Sequence, residues 1–469
     1  MEKRGREYRG HVVVLPYPCQ GHMNPLLQIA KRLASKGLKA TLATTHYTVK
    51  SVCAANVGVE PISDGFDQSG FAQAPNEEVY LEAFKATGSR TLSELIKKFE
   101  NSTSPVNCII YDSFLPWALD VAKQHGIYGA SFFTNSATVF SIYSRVHQGQ
   151  LTLPVKLEEM PLLIPGAPPL NFPDMPSFLK FPEDCPAYLR LQLNQYSNLE
   201  MADWVFGNTF EGLESEVAKG IWELWPGMLI GPMIPSAYLD GRIEDDRGYG
   251  ASLWKPLSDE CMKWLETQEP ESVVYVSFGS MVALTEKQME EIAWGLKGSE
   301  FRFLWVVKES ENGKLPEGFA ESTKEKGLVV TWCNQLEVLA HQAVGCFVTH
   351  CGWNSTLEGL SLGVPMVGVP KWADQMTNAK FVEEVWGIGV RAKEDEKGNV
   401  GREELQLCLR EVMEGDRSQE IKRNASKLRE LAKEAINEGG SSDKNIDDFV
   451  GAFVGWSEEK RDRYEWYGG

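Results

Sequence analysis

No apolar stretch in these 469 residues is long and unbroken enough to cross a membrane. The longest uncharged run, His11 to Ala30, is interrupted by Pro16, Pro18, Gly21, Asn24 and Pro25. An excess of positive charge is missing as well: the formal net charge is −18, which removes the basic face that nucleic acid or an anionic membrane surface rewards. The nine cysteines are odd in number and include no C-x-x-C pair, so neither a disulfide framework nor a zinc site is expected. The opening residues, Met1-Glu2-Lys3-Arg4-Gly5-Arg6, are polar and lead into no cleavable apolar run. A cytoplasmic setting follows, and the N-x-S/T triplets at Asn101, Asn354 and Asn424 then lose their meaning. No G-x-G-x-x-G and no Walker loop occurs, which takes away the usual sequence support for nicotinamide and ATP chemistry.

What is present is a repeated alternation of strand and helix. His11–Pro16, Lys39–Thr45, Asn107–Tyr111, Ala130–Phe133 and Trp204–Asn208 read as strands, several of them continuous apolar runs covered on both faces. Helical patterns lie between them, at Pro116–Gln124 and Ser136–His147. Asn24 as cap and Pro25 as first residue open a helix that stops at Gly37. Leu151–Phe181 is rich in proline without a clear period, a loop able to wall a pocket. After a Gly-, Pro- and acid-rich stretch the alternation restarts at Ser272–Phe278, with Thr285 capping the next helix. The expected fold is α/β: two Rossmann-like, doubly wound parallel-sheet domains facing across a cleft. The expected partition is 1–235 for an N-terminal domain, 236–256 for a linker and 257–440 for a C-terminal domain. Residues 441–469 then hold a final helix and a polar tail.

Two groups of residues suit chemistry. In Gln20-Gly21-His22-Met23-Asn24-Pro25, a histidine follows the first strand, and Asp112 ends another. A lone loop histidine is more often bonded to backbone, and Asp112 also suits a helix cap. As a pair they suit general-base work: a neutral imidazole takes a hydroxyl proton near pH 7 while a buried carboxylate fixes its tautomer. The second group is W-C-N-Q-L-E-V-L-A-H-Q-A-V-G-C-F-V-T-H-C-G-W-N-S-T-L-E-G-L-S-L-G-V-P-M-V-G-V-P-K-W-A-D-Q, Trp332 to Gln375. Its strand, Gly345 to His350, turns at Cys351-Gly352-Trp353 into a helix opening at Asn354-Ser355, a ready anion site. Ser355 and Glu358 are also spaced as a capping box, which needs no ligand.

Trp332–Gln375 resembles, without insertion, the signature box of the plant family-1 UDP-sugar-dependent glycosyltransferases. Asn334 and Val369 depart from the commoner residues there, at positions that contact no ligand in the family. The resemblance implies a GT-B fold, UDP-glucose as co-substrate, and no metal; the absence of an Asp-x-Asp pair agrees with the last. It implies His22 as base and Asp112 as its orienting acid. Trp332 stacks uracil, and Gln335 and Glu358 take the ribose. His350, Asn354, Ser355 and Ser280 take the diphosphate, and Trp353, Asp374, Gln375 and Thr134 meet the sugar, with Cys333 and Gly352 inside the same binding stretch. A terminal Gln goes with glucose more than galactose. Cys19 stands where Ser or Thr is common, which touches one hydrogen bond to substrate. The acceptor wall is read as Phe140, Tyr143, Leu193 and Tyr196, with Met281 and Trp372 added by resemblance. An apolar wall without a cation leans toward a steroid or triterpenoid hydroxyl. The alternatives are a glucosyl ester or thioglucoside on a small acid or thiohydroximate, and a flavonoid or phenolic hydroxyl. A nucleotide-sugar epimerase and a non-enzymatic UDP-sugar sensor remain as other classes. A monomer without nucleic-acid or membrane partners is expected.

Overall fold

The computed structural model describes residues 8–251 and 257–451. It divides into two compact units. The first contains a seven-stranded, all-parallel sheet built from β1 (His11–Leu15), β2 (Lys39–Thr45), β3 (Gly58–Ile62), β4 (Cys108–Asp112), β5 (Tyr128–Phe133), β6 (Trp204–Gly207) and β7 (Gly227–Leu229). The strand order is β3-β2-β1-β4-β5-β6-β7. β1 and β4 are buried along their whole length, as apolar runs in a sheet covered on both sides must be. Helix α1 (Gln20–Ser35) lays Leu26, Ile29, Ala30 and Leu33 onto Val12 and Val14. Full burial of each such Val, Leu or Ile side chain is worth about 1.5–3 kcal/mol. The helix ends in a Schellman turn, with Gly37 at φ +91° and Leu38 N–H donating to the Leu33 carbonyl.

The second unit repeats the plan with six parallel strands: β8 (Val273–Ser277), β9 (Arg302–Val306), β10 (Gly327–Val330), β11 (Val344–Thr349), β12 (Met366–Gly368) and β13 (Gly389–Arg391). Their order is β10-β9-β8-β11-β12-β13. Its core gathers Val274, Val276, Phe303, Trp305 and Val348 with Leu409 and Val412. In both sheets the order reverses direction once, between β1 and β4 and between β8 and β11, and ligands of such folds bind beyond the carboxyl ends of the strands there.

The partition differs from the expected one in two places. Leu153–Asp184 lies with the second unit, hydrogen-bonded through Ser177 and Asp174 to residues 373 and 377. The described part of the expected linker, 236–251, is anchored on α1. Asp246 accepts from Lys31 Nζ at 2.7 Å and from Gln28 Nε2 at 2.6 Å, and Asp240 pairs with Arg32 at 3.0 Å. Buried acids and bases fold this stretch down rather than leave it a free tether. Residues 252–256, the opening residues Met1–Arg6 and the tail from Trp456 lie outside the described residues. The chain is helical over 441–451. There Ile446, Phe449 and Val450 enter the first unit's core, and Asp443 pairs with Arg242 at 2.7 Å. Among the described residues no helix is long and apolar enough to cross a membrane.

Candidate active site

In the first unit the chemistry collects at the end of β1 and β4. Helix α1 begins earlier than expected: its cap is Cys19, in extended conformation, and Pro25 lies inside it. Met23 N–H already bonds the Cys19 carbonyl at 2.9 Å, so Asn24 is not the cap, and its amide oxygen accepts from Gln20 Nε2 instead. His22 therefore sits in the first helical turn rather than on a loop.

Its Nδ1 lies 2.6 Å from Asp112 Oδ2, and the carboxylate is fully buried. Asp112 Oδ1 accepts the Phe114 N–H at 3.0 Å, and Oδ2 accepts the Tyr17 N–H at 3.3 Å. The expected pairing and the local turn are thus made by the same carboxylate. With Nδ1–H donated to Asp112, the tautomer leaves Nε2 as a base, and Nε2 makes no hydrogen bond among the described residues. Phe114 and Tyr17 flank the imidazole, with ring centroids 4.6 and 5.6 Å away. Sequence reasoning passed over both. Thr134 Oγ1 lies 3.3 Å from His22 Nδ1, so the residue expected at the sugar touches the base. Burial pushes the Cys19 thiol up to about 12, which keeps it a neutral thiol.

In the second unit the corresponding turns follow β8 and β11. Gly279 has φ +68°, and Cys351 has φ +61° although it carries a side chain. Gly352 caps helix α2 (Trp353–Leu362). The His350 ring is packed against two backbones: a Cβ on Gly279 would lie 2.7 Å from Cε1, and one on Gly352 2.5 Å from Nε2. Burial, with a smaller push from Lys308, lowers His350 to about 4, so at neutral pH it offers an N–H and no charge.

Ser355 and Glu358 form no capping box, because Ser355 lies inside the helix that Gly352 caps. Both are instead bridged by Gln335, whose Nε2 donates to Glu358 Oε2 at 2.6 Å and to Ser355 Oγ at 3.0 Å. Tyr275 OH donates to Gln335 Oε1 at 3.2 Å and lies 3.4 Å from the Cys333 thiol. Trp332 and Asn354 are half-buried, as is Ser280. Gln375 Oε1 accepts the Lys371 and Trp372 N–H groups at 2.9 and 3.1 Å, and Asp374 Oδ2 accepts from Asn378 at 2.8 Å.

Two groups of expectations are corrected. The Trp353 indole is 4% exposed and packs against Trp386, so what it presents at the turn is its backbone. Phe140, Tyr143 and Tyr196 are interior, at 2%, 1% and 1% exposed. Phe140 packs on Phe133 and Trp225, and Tyr196 donates its hydroxyl to the Phe140 carbonyl at 2.9 Å. Tyr143 and Tyr196 are core, as aromatics on the inner face of an amphipathic helix tend to be, and Phe140 also borders a small cavity with Phe133, Trp222 and Leu229. Leu193 is half-buried, Met281 is exposed, and Trp372 meets Phe178 edge-on.

Comparison with known proteins bears on this arrangement. The family described as "UDP-glucoronosyl and UDP-glucosyl transferase" matches residues 233–436, and a glycosyltransferase N-terminal domain matches residues 10–63. UDP-glycosyltransferase 74B1 of Arabidopsis thaliana is 54% identical over 94% of this chain and 97% of its own length. Mogroside I-E synthase of Siraitia grosvenorii is 46% identical, over 94% and 97%. The crystal structure of Os79 from O. sativa with UDP superposes with a TM-score of 0.91 at 42% identity, covering 94% of this chain and all of that one. The chain belongs to the plant family-1 UDP-glycosyltransferases, transferases of GT-B fold that use a UDP-sugar as co-substrate.

Proposed function

We propose that this chain is an inverting, UDP-glucose-dependent O-glucosyltransferase that acts on the hydroxyl of a small lipophilic metabolite, working as a monomer in the cytoplasm. The observation that supports it best is the His22–Asp112 pair at 2.6 Å, which turns the far ring nitrogen away from the carboxylate. A protein that only bound a UDP-sugar has no use for an oriented base. His22 Nε2 takes the acceptor proton, and Asp112 stabilises the imidazolium as it forms. The acceptor oxygen attacks the anomeric carbon, and UDP leaves from the opposite face, so an α-linked donor gives a β-glucoside.

The second unit supplies the donor groups. Trp332 stacks the uracil, and the Gln335–Glu358 pair takes the ribose. His350, Asn354, Ser355 and Ser280 take the diphosphate at the start of α2, where the helix dipole favours the growing negative charge. Asp374 and Gln375 take the sugar. For the acceptor, the half-buried Phe114 ring beside the base joins Leu193, Met281 and Trp372 as the apolar surface that favours a rigid alcohol such as a steroid or triterpenoid.

The test is His22→Ala in a UDP-release screen over steroid, triterpenoid, flavonoid, benzoate and thiohydroximate acceptors. The expected result is loss of acceptor-dependent release with near-normal UDP-glucose affinity. Retained turnover in that variant would refute the base. Binding without turnover across the panel points to a sensor, and turnover without acceptor to an epimerase.

A further inference from the structure

The turn Trp372-Ala373-Asp374 is held in an unusual shape. Ala373 has φ +56°, a left-handed conformation that a residue with a Cβ keeps only where its surroundings hold it. Both backbone polar groups of Ala373 are taken by one residue far away in sequence. Ser177 Oγ accepts the Ala373 N–H at 2.8 Å, and the Ser177 N–H donates to the Ala373 carbonyl at 2.9 Å. Ser177 is itself anchored on both sides. Phe178 meets the Trp372 ring edge-on at 5.5 Å. The Asp174 carbonyl accepts from Thr377 Oγ1 at 2.7 Å, and its carboxylate pairs with Arg391 at 2.9 Å and Lys380 at 3.1 Å. All of these residues lie in the second unit.

We propose that Ser177 is a positioning residue for recognition of the donor sugar: by clamping Ala373 it aims Asp374 and Gln375. The inference rests on the reading that those two side chains meet the sugar. Epimeric hexoses differ in the direction of one hydroxyl, and a side chain discriminates between them only if it is held to within about 0.5 Å. Gln375 steadies the turn from inside, through the Lys371 and Trp372 N–H groups. Ser177 steadies it from outside, at the one residue whose backbone is strained.

Ser177→Ala removes the acceptor of the Ala373 N–H. Calorimetry with UDP, UDP-glucose and UDP-galactose reads the effect without needing an acceptor. The expected result is an unchanged UDP affinity and a preference for UDP-glucose over UDP-galactose narrowed by about 2–10-fold, the worth of one hydrogen bond. Ser177→Thr keeps the hydroxyl and retains the preference. Ala373→Gly in the Ser177→Ala background restores part of it, because glycine holds the left-handed conformation unaided. An unchanged preference in Ser177→Ala overturns the proposal, as does a loss that weakens UDP and both sugars alike. Failure of the functional reading shows separately, as absence of turnover in the unsubstituted enzyme.

Discussion

Replacing Asp112 by asparagine changes one atom and tests most of the reasoning about the base. The carboxylate accepts three N–H groups: His22 Nδ1 at 2.6 Å, Phe114 N at 3.0 Å and Tyr17 N at 3.3 Å. An amide of the same shape has only one oxygen to offer, so its NH₂ must face a donor. Facing Phe114, it leaves a buried backbone N–H unsatisfied, which costs about 1–3 kcal/mol. Facing His22, it drives the ring to the other tautomer: Nδ1 then accepts, Nε2 carries the proton, and no base points at the acceptor. Either way the charge that stabilises the imidazolium is gone. General-base help is worth about 10²–10⁴ in rate, so kcat falls by that factor. UDP affinity is expected to stay where it was, because the residues proposed for the diphosphate belong to the other unit. Steady-state UDP release measures the first quantity, and titration calorimetry the second. An asparagine variant within tenfold of the parent kcat, with His22 still in place, refutes the base assignment.

Two further outcomes are open to direct measurement. Gly352→Ala places a Cβ 2.5 Å from His350 Nε2; the ring has to move, and UDP affinity by calorimetry is expected to fall at least tenfold while the protein stays folded by circular dichroism. His11 and His350 are both held neutral by burial, each lowered from 6.5 to about 4. Between those values the unfolded chain binds more protons than the folded one, so stability falls as the pH drops from about 6.5 toward 4, by about 3 kcal/mol for each histidine. Thermal melts over that range are expected to show the fall, and His11→Gln to flatten it; an unchanged slope in the variant rules out His11 as a source.

The inner strands were legible where they are short, continuous apolar runs, a pattern that a strand buried on both faces requires, whereas the edge strands β3, β7 and β13 carry no such run. His11–Leu15 needs little more than its composition to be found. The start of α1 was not legible, because Asn24-Pro25 is a good local opening that the structure overrides. Once Cys19 is extended, its carbonyl takes the Met23 N–H, and the helix is under way before the proline arrives. The error matters, since it decides whether His22 is on a loop or on a rigid first turn. Phe140 and Tyr143 show a different limit: helical spacing gives the inner face of a helix but not what lies beneath it, which is core at Tyr143 and a small cavity at Phe140. Ser177 left no trace at all, because it acts on Ala373 across 196 positions, through a stretch with no period of its own.

The two switch points are alike in topology and differ in charge, and that contrast supports the proposed division of the reaction. Beyond β1 and β4 stands a buried carboxylate that has captured the first-turn histidine. A helix start is the wrong end for a cation, so the imidazolium formed there depends on Asp112 to offset it, and a diphosphate placed beside that carboxylate would be repelled. Beyond β8 and β11 the histidine is wedged between two glycine backbones. Burial keeps it neutral, and the charged group acting on it is the cation Lys308. The Glu358 carboxylate farther along α2 is taken up by Gln335 Nε2, and the opening turn of the helix favours an anion. Under the proposed mechanism the same fold, used twice, holds the proton acceptor in one unit and the leaving group in the other. Exchanging these roles would set like charges against each other at both ends of the transfer.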